Sequence, residues 1–139
     1  MTNALFTAYR ATMLGNGTAV DLDADTIRCM FVDHADDTPV AATDDFIDDI
    51  ASAARVPAIA SCPALGSKTT TSGTFDAADP VFTSLTGDQV ESLIFFKDTG
   101  TEATSNLLVF MDTFSSGMPL TPNGGNVTVV LNASGIFTL

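Results

Sequence analysis

The feature that most constrains this chain is a pair of apolar runs, Leu-Ile-Phe-Phe at residues 93–96 and Leu-Leu-Val-Phe-Met at residues 107–111. Runs of four or five apolar residues bounded by turn chemistry match strands that are covered on both faces. The connector, residues 97–106, holds Gly100 and several Thr and Ser, and it reads as a surface hairpin loop. The pair is therefore predicted to form the centre of a sheet. At 139 residues and 45% apolar content, the chain supports one domain, residues 1–139, with an ordinary core around that centre.

Other segments read as follows. Residues 3–14 place Leu5, Phe6, Tyr9 and Met13 mostly on one helical face, and Gly15-Asn-Gly17 stops the pattern, so a short helix is predicted. Two roles fit that helix: a cover over one end or face of the sheet, or, since it offers more apolar surface than a peripheral element needs, a contact with a neighbouring subunit, for which Leu5, Phe6, Tyr9 and Met13 are the candidate interface residues. Residues 26–33 alternate as a strand. Residues 43–54 read as an amphipathic helix, with Thr43 as N-cap, Asp44 and Asp45 in the first turn, and Phe46, Ile47, Ile50, Ala51 and Ala54 on one face. Residues 55–63 contain two prolines and suit an edge position. The Thr-rich residues 66–75 suit an exposed strand turning at Gly73. Residues 81–85, 127–131 and 136–139 read as further strands separated by Gly-, Asn- and Pro-rich turns. The predicted core comprises Phe46, Ile50, Phe82, Leu93, Phe95, Leu108, Phe110, Val127 and Val129.

The helices precede most strands and do not alternate with them, which disfavours a parallel α/β fold. The fold class is mainly β (α+β): an antiparallel β-sandwich or barrel of about six to eight strands with two short helices.

Charge narrows the function classes. Five Lys and Arg face seventeen Asp and Glu, a net of −12. Such a surface repels nucleic acid and anionic membrane, because a phosphate backbone needs basic neutralisation. No apolar run reaches the roughly 18 residues of a membrane span. The first ten residues lack the early positive charge and long apolar core of a signal peptide.

Candidate chemical sites are few. Asp21-Leu-Asp-Ala-Asp25 opens like a calcium loop, but Thr26 stands where that loop needs Gly and Val32 where it needs Glu. A polar turn feeding a strand is the preferred reading. His34 is the only histidine, so there is no His cluster for zinc. Asp44, Asp45, Asp48 and Asp49 each have a reason to sit on a capped helix. Cys29 lies in an apolar stretch and reads as a buried free thiol; a disulfide to Cys62 would need an oxidising compartment. No catalytic, cofactor-binding or metal-binding residue is therefore assigned, no cofactor is implied, and the chain is not read as an enzyme. The absence of Trp and the single Tyr argue against a carbohydrate-binding module.

A set of segments runs in order along nearly the whole chain: Asp21-Leu-Asp-Ala-Asp-Thr-Ile-Arg, Asp45-Phe-Ile-Asp-Asp-Ile, Ala54-Arg-Val, and Gly73-Thr-Phe-Asp-Ala-Ala-Asp-Pro-Val-Phe-Thr. It continues with Phe96-Lys-Asp-Thr-Gly-Thr-Glu-Ala-Thr-Ser, Pro119-Leu-Thr-Pro-Asn-Gly-Gly-Asn-Val-Thr-Val and Gly135-Ile-Phe-Thr-Leu. Together these resemble a family of small virion proteins of tailed bacteriophages, of the capsid cement or decoration type. The chain departs from that pattern before the final turn, where a Trp-containing strand is expected and Val129-Val-Leu stands instead. The resemblance implies a structural protein made in the bacterial host cytoplasm and carried on the outer capsid surface. Its implied partners are the major capsid protein and further copies of itself, as a trimer or hexamer. Neither nucleic acid nor membrane is among them. The alternative within the virion is a tail, head-fibre or connector subunit.

Overall fold

The computed structural model describes residues 3–139. In chain order the elements are β1 (Ala4–Leu5), α1 (Thr7–Met13), β2 (Ile27–Val32), β3 (Arg55–Val56), β4 (Thr69–Thr71), β5 (Thr74–Asp76), β6 (Val81–Phe82), β7 (Ser92–Lys97), β8 (Leu107–Met111), β9 (Val127–Thr128) and β10 (Phe137–Thr138). Four single 3₁₀ turns lie at Ile47–Asp49, Ser52–Ala54, Ile59–Ser61 and Glu102–Thr104. The fold is mainly β, antiparallel throughout and sandwich-like, with one α-helix among the described residues.

The two apolar runs are β7 and β8, and they pair as predicted at the heart of a five-stranded sheet ordered β1-β8-β7-β2-β3. Leu93, Ile94, Phe95 and Phe96 are all fully buried, so both faces of β7 are covered. Opposite residues on a sheet share a face. Phe31 pairs with Leu93, and the Phe82 ring packs on Phe31 at 4.4 Å between centroids, so β6 covers that face. Phe110 pairs with Ile94 on the other face and meets the Phe6 ring edge-on at 6.4 Å. The β7–β8 register slips between Phe95 and Phe96, which oppose Val109 and Leu107, leaving Leu108 as the extra residue of a bulge. The Leu108 carbonyl accepts the Phe6 N–H at 3.1 Å, anchoring the start of α1 to the sheet.

A second sheet is ordered β10-β5-β4, and a two-stranded ribbon joins β6 to β9. The β4–β5 hairpin turns at Ser72-Gly73, with φ of 54° and 77°. Two successive positive φ values define the tight turn whose twist matches a hairpin, so Gly73 is required there. All three residues of β4 are exposed, as the Thr-rich pattern predicts.

Three expectations are corrected. The predicted helix over residues 3–14 is shorter, because Ala4 and Leu5 pair with Phe110 and Val109 as an edge strand before the chain turns into α1. No α-helix forms over residues 43–54, so the second expected helix is replaced by two 3₁₀ turns. There the Asp49 carboxylate takes the Asp45 and Phe46 N–H groups at 2.8 and 3.3 Å, and Ile47 N–H goes to the Ser105 carbonyl at 3.0 Å. Side chains and a neighbouring loop thus occupy backbone groups that a helix would use. Of the predicted core, Phe46, Val127 and Val129 are only half-buried, while the other six are buried.

Candidate functional site

Helix α1 was the candidate contact element, and its residues divide sharply. Phe6 and Tyr9 are 0% and 2% exposed and belong to the chain's own core. Leu5 is half-buried in β1, and Met13 is 36% exposed. The helix packs tightly because both ends of the chain meet there: the Tyr9 ring stands edge-on to Phe137 of β10, with centroids 6.3 Å apart. What the N-terminal stretch presents outward is therefore Met13, followed by Leu14, which is 91% exposed.

Beside α1 lies a cavity of about 610 Å³ whose apolar walls include Tyr9, Met13, Leu22, Phe75 and Phe137. Asp25 and Lys97 also line it. Asp25 is the hub of the Asp21–Asp25 turn. Its carboxylate pairs with Lys97 Nζ at 2.8 Å and accepts the Asp21 N–H at 2.8 Å, while Lys68 Nζ donates to its backbone carbonyl. Burial pushes the Asp25 carboxyl up, but the Lys97 hydrogen bond, the Asp21 N–H and the two lysine charges outweigh it and hold the group below its ordinary value. Asp21 Oδ1 accepts the N–H groups of Asp23 and Ala24, and Asp23 accepts the Thr70 hydroxyl at 2.8 Å. The three carboxylates thus serve three different sets of donors, as a polar turn feeding β2 requires.

A second acidic group was not visible locally. Asp33, Asp36 and Asp88 bring carboxylate oxygens within 4.8 Å of one another. Asp88 comes from the turn before β7, far from the other two in sequence, so no local window could reveal the cluster. Asp33 is 4% exposed, and its Oδ1 already accepts the Ala35 N–H at 2.7 Å.

His34 also finds an unexpected partner. Its Nε2 lies 2.8 Å from Ser92 Oγ, and its backbone N–H donates to the Glu91 carboxylate at 2.9 Å. A Ser–His contact is the opening of a nucleophilic site. Ser92 is 0% exposed, however, so this hydroxyl is enclosed in the sheet, and its bond to His34 satisfies a buried polar group.

Cys29 and Cys62 are both buried free thiols, as read for Cys29 from its apolar neighbours. Burial pushes both up, Cys62 to about 12, so neither is a ready nucleophile. Arg55 is the functional-looking group that sequence reasoning passed over. Its side chain is 6% exposed; Nε and Nη2 donate to the Ile50 and Ile47 carbonyls, and Nη1 pairs with Glu102 at 2.9 Å. This guanidinium holds the 3₁₀ turns of residues 47–54 against the β7–β8 connector.

Among known proteins, no family model matches the chain. No curated protein matches it either.

Proposed function

We propose that this protein is a bacteriophage capsid cement protein that binds the outer surface of the major capsid shell and stabilises it. The observation that carries the reading is the ordered set of segments from Asp21 to Leu139 that resembles such virion proteins. The physical properties of the chain are compatible with the role. A net charge of −12 suits the solvent side of a shell better than the side facing packaged DNA. A small mainly β domain with a core covered on both faces of its central sheet gives a rigid body for repeated docking.

The mechanism is mechanical. Expansion of a shell creates subunit junctions; a protein that binds those junctions only after expansion stabilises the expanded state by mass action. Symmetry-related weak contacts add through avidity. Of the N-terminal candidates, Met13 and the half-buried Leu5 are the residues left to face the shell.

The test uses purified expanded capsids that lack the protein. Added protein is expected to cosediment with them at a stoichiometry comparable to the major capsid protein and to raise their melting temperature. Copurification with tails instead of DNA-filled heads would replace this reading with a tail or connector role.

A further inference from the structure

The C-terminal part of the chain differs from the rest in two independent ways. All seventeen acidic and five basic residues lie within residues 1–112; residues 113–139 carry no ionisable side chain. No residue after Phe110 is buried, although this part holds Phe114, Met118, Leu120, Val127, Val129, Leu131, Ile136 and Phe137. Most large apolar residues of the body are enclosed, with Met13, Leu14, Val40 and Val81 as exposed exceptions, whereas in this segment none is enclosed.

Two concave surfaces flank this segment. One, of about 780 Å³, runs from Leu93 and Met111 past Phe114 to Val129, Val130 and Ile136. The other, of about 310 Å³, lies between Phe31, Phe114, Met118 and Val127. Neither is lined by any charged residue. Val130, which lines both, is 80% exposed. At its margin the Asp79 carboxylate is engaged by the Leu131 N–H at 2.8 Å.

We infer that this charge-free face, centred on Phe114 and Val130, is the surface through which copies of this chain associate. The charge distribution selects the occupant. Two molecules at −12 repel each other, and contact through the body of the fold sets carboxylates against carboxylates. The C-terminal face is where a second copy can dock without setting carboxylates directly against carboxylates, leaving only the longer-range repulsion that salt screens. A basic partner would gain most on the acidic body and nothing on this face. Interface cores are depleted of charge and rich in aromatic and apolar groups, and contiguous exposed apolar patches are characteristic of them. Identical copies meeting through one such face form a closed oligomer. The inference does not rest on the capsid reading, since purified protein alone is measured.

Sedimentation of the full chain across the micromolar range tests it. The wild-type protein is expected to sediment as an oligomer, and more firmly at high salt, where the body charges are screened. Val130→Asp is expected to weaken association on the order of tenfold or more, with an unchanged dichroism spectrum because the side chain is exposed. Should Val130→Asp fail to fold, Val130→Ser decides by the same shift toward monomer. Leu14→Asp, on the helix side, is the control and leaves the oligomer intact. A wild-type protein that stays monomeric throughout, or a folded Val130 variant with undiminished association, overturns the inference.

Discussion

The Tyr9 and Phe137 rings meet edge to face, 6.3 Å apart at 79° between planes, and join the first helix to the last strand of the chain. Phe137 in turn packs on Phe75 at 5.7 Å. The two ends of the chain therefore depend on one aromatic cluster. Tyr9→Ala removes a buried ring and is expected to cost about 3–5 kcal/mol in denaturant unfolding. Tyr9→Phe keeps the ring and should cost less than about 1.5 kcal/mol. Equal losses for the two variants would mean that the hydroxyl, not the ring, holds the ends together.

The same burial sets an alkaline limit on stability. It pushes the Tyr9 phenol from 10.0 to about 12 and the Cys62 thiol from 9.0 to about 12, and raises Cys29 as well. In the unfolded chain these groups lose protons at their ordinary values while the folded chain retains them. The unfolded state then binds fewer protons, so stability falls as pH rises. The thermal midpoint is expected to drop progressively from about pH 9 to pH 12. Tyr9→Phe should make the upper part of that fall shallower. A midpoint flat across the window would show that these groups ionise equally easily in both states.

At the sheet centre, Phe95 and Phe110 are 0% and 2% exposed. Each truncation to alanine is expected to cost about 3–5 kcal/mol, read from the denaturation midpoint at constant slope. A loss below about 1 kcal/mol at both positions would mean that the sheet faces are assigned wrongly.

Much of this sheet could be read directly from the chain. Residues 93–96 and 107–111 are so continuously apolar that only a doubly covered strand accommodates them, and residues 26–33 carry an equally clear signal. Residues 43–54 misled for a physical reason. Phe46, Ile47, Ile50 and Ala54 have helical spacing, yet a string of 3₁₀ turns buries nearly the same positions. Backbone groups in that segment are claimed by Asp49, by Arg55 just past its end and by Ser105, and the last of these is outside any local window. The spacing of α1 shows an apolar face and allows a place against the sheet, but the rings that meet it, Phe110 and Phe137, come from the far end of the chain. The clusters Asp33–Asp36–Asp88 and His34–Ser92 were hidden for the same reason, since strand pairing creates them.

The role of Arg55 gives a prediction specific to that segment. Its guanidinium donates to the Ile47 and Ile50 carbonyls at 3.0 and 2.8 Å. Arg55→Ala takes the guanidinium donor from the Ile50 carbonyl and leaves the Ile47 carbonyl only the Ile50 N–H at 3.0 Å, and it is expected to cost about 2–4 kcal/mol. Its ion-pair partner Glu102 is 53% exposed, so Glu102→Ala should cost less than about 1 kcal/mol. The comparison of the two in urea separates the carbonyl bonds from the ion pair. If Glu102→Ala were the more damaging change, the ion pair would be the principal restraint.

The attachment of β10 rests on a glycine. Gly135 has φ of +94°, and a Cβ there would run into Thr74 Cγ2 and lie 2.9 Å from the Phe75 carbonyl oxygen. That same carbonyl accepts the Ile136 N–H at 2.7 Å, the bond that leads the chain into β10. Gly135→Ala must therefore both strain the backbone and push the last strand away from β5. Gly124 provides the comparison: its φ is +84°, but the nearest atom to an added Cβ is Thr86 Cγ2 at 4.0 Å. Gly124→Ala should lose only the conformational cost of about 1 kcal/mol, and Gly135→Ala about 2–4 kcal/mol. Limited proteolysis should also cut Gly135→Ala near its C-terminus before the wild type, because a displaced β10 also takes Phe137 away from Tyr9. If both glycine variants lose the same stability and resist protease equally, the close approach to Thr74 and Phe75 does not hold β10 in place.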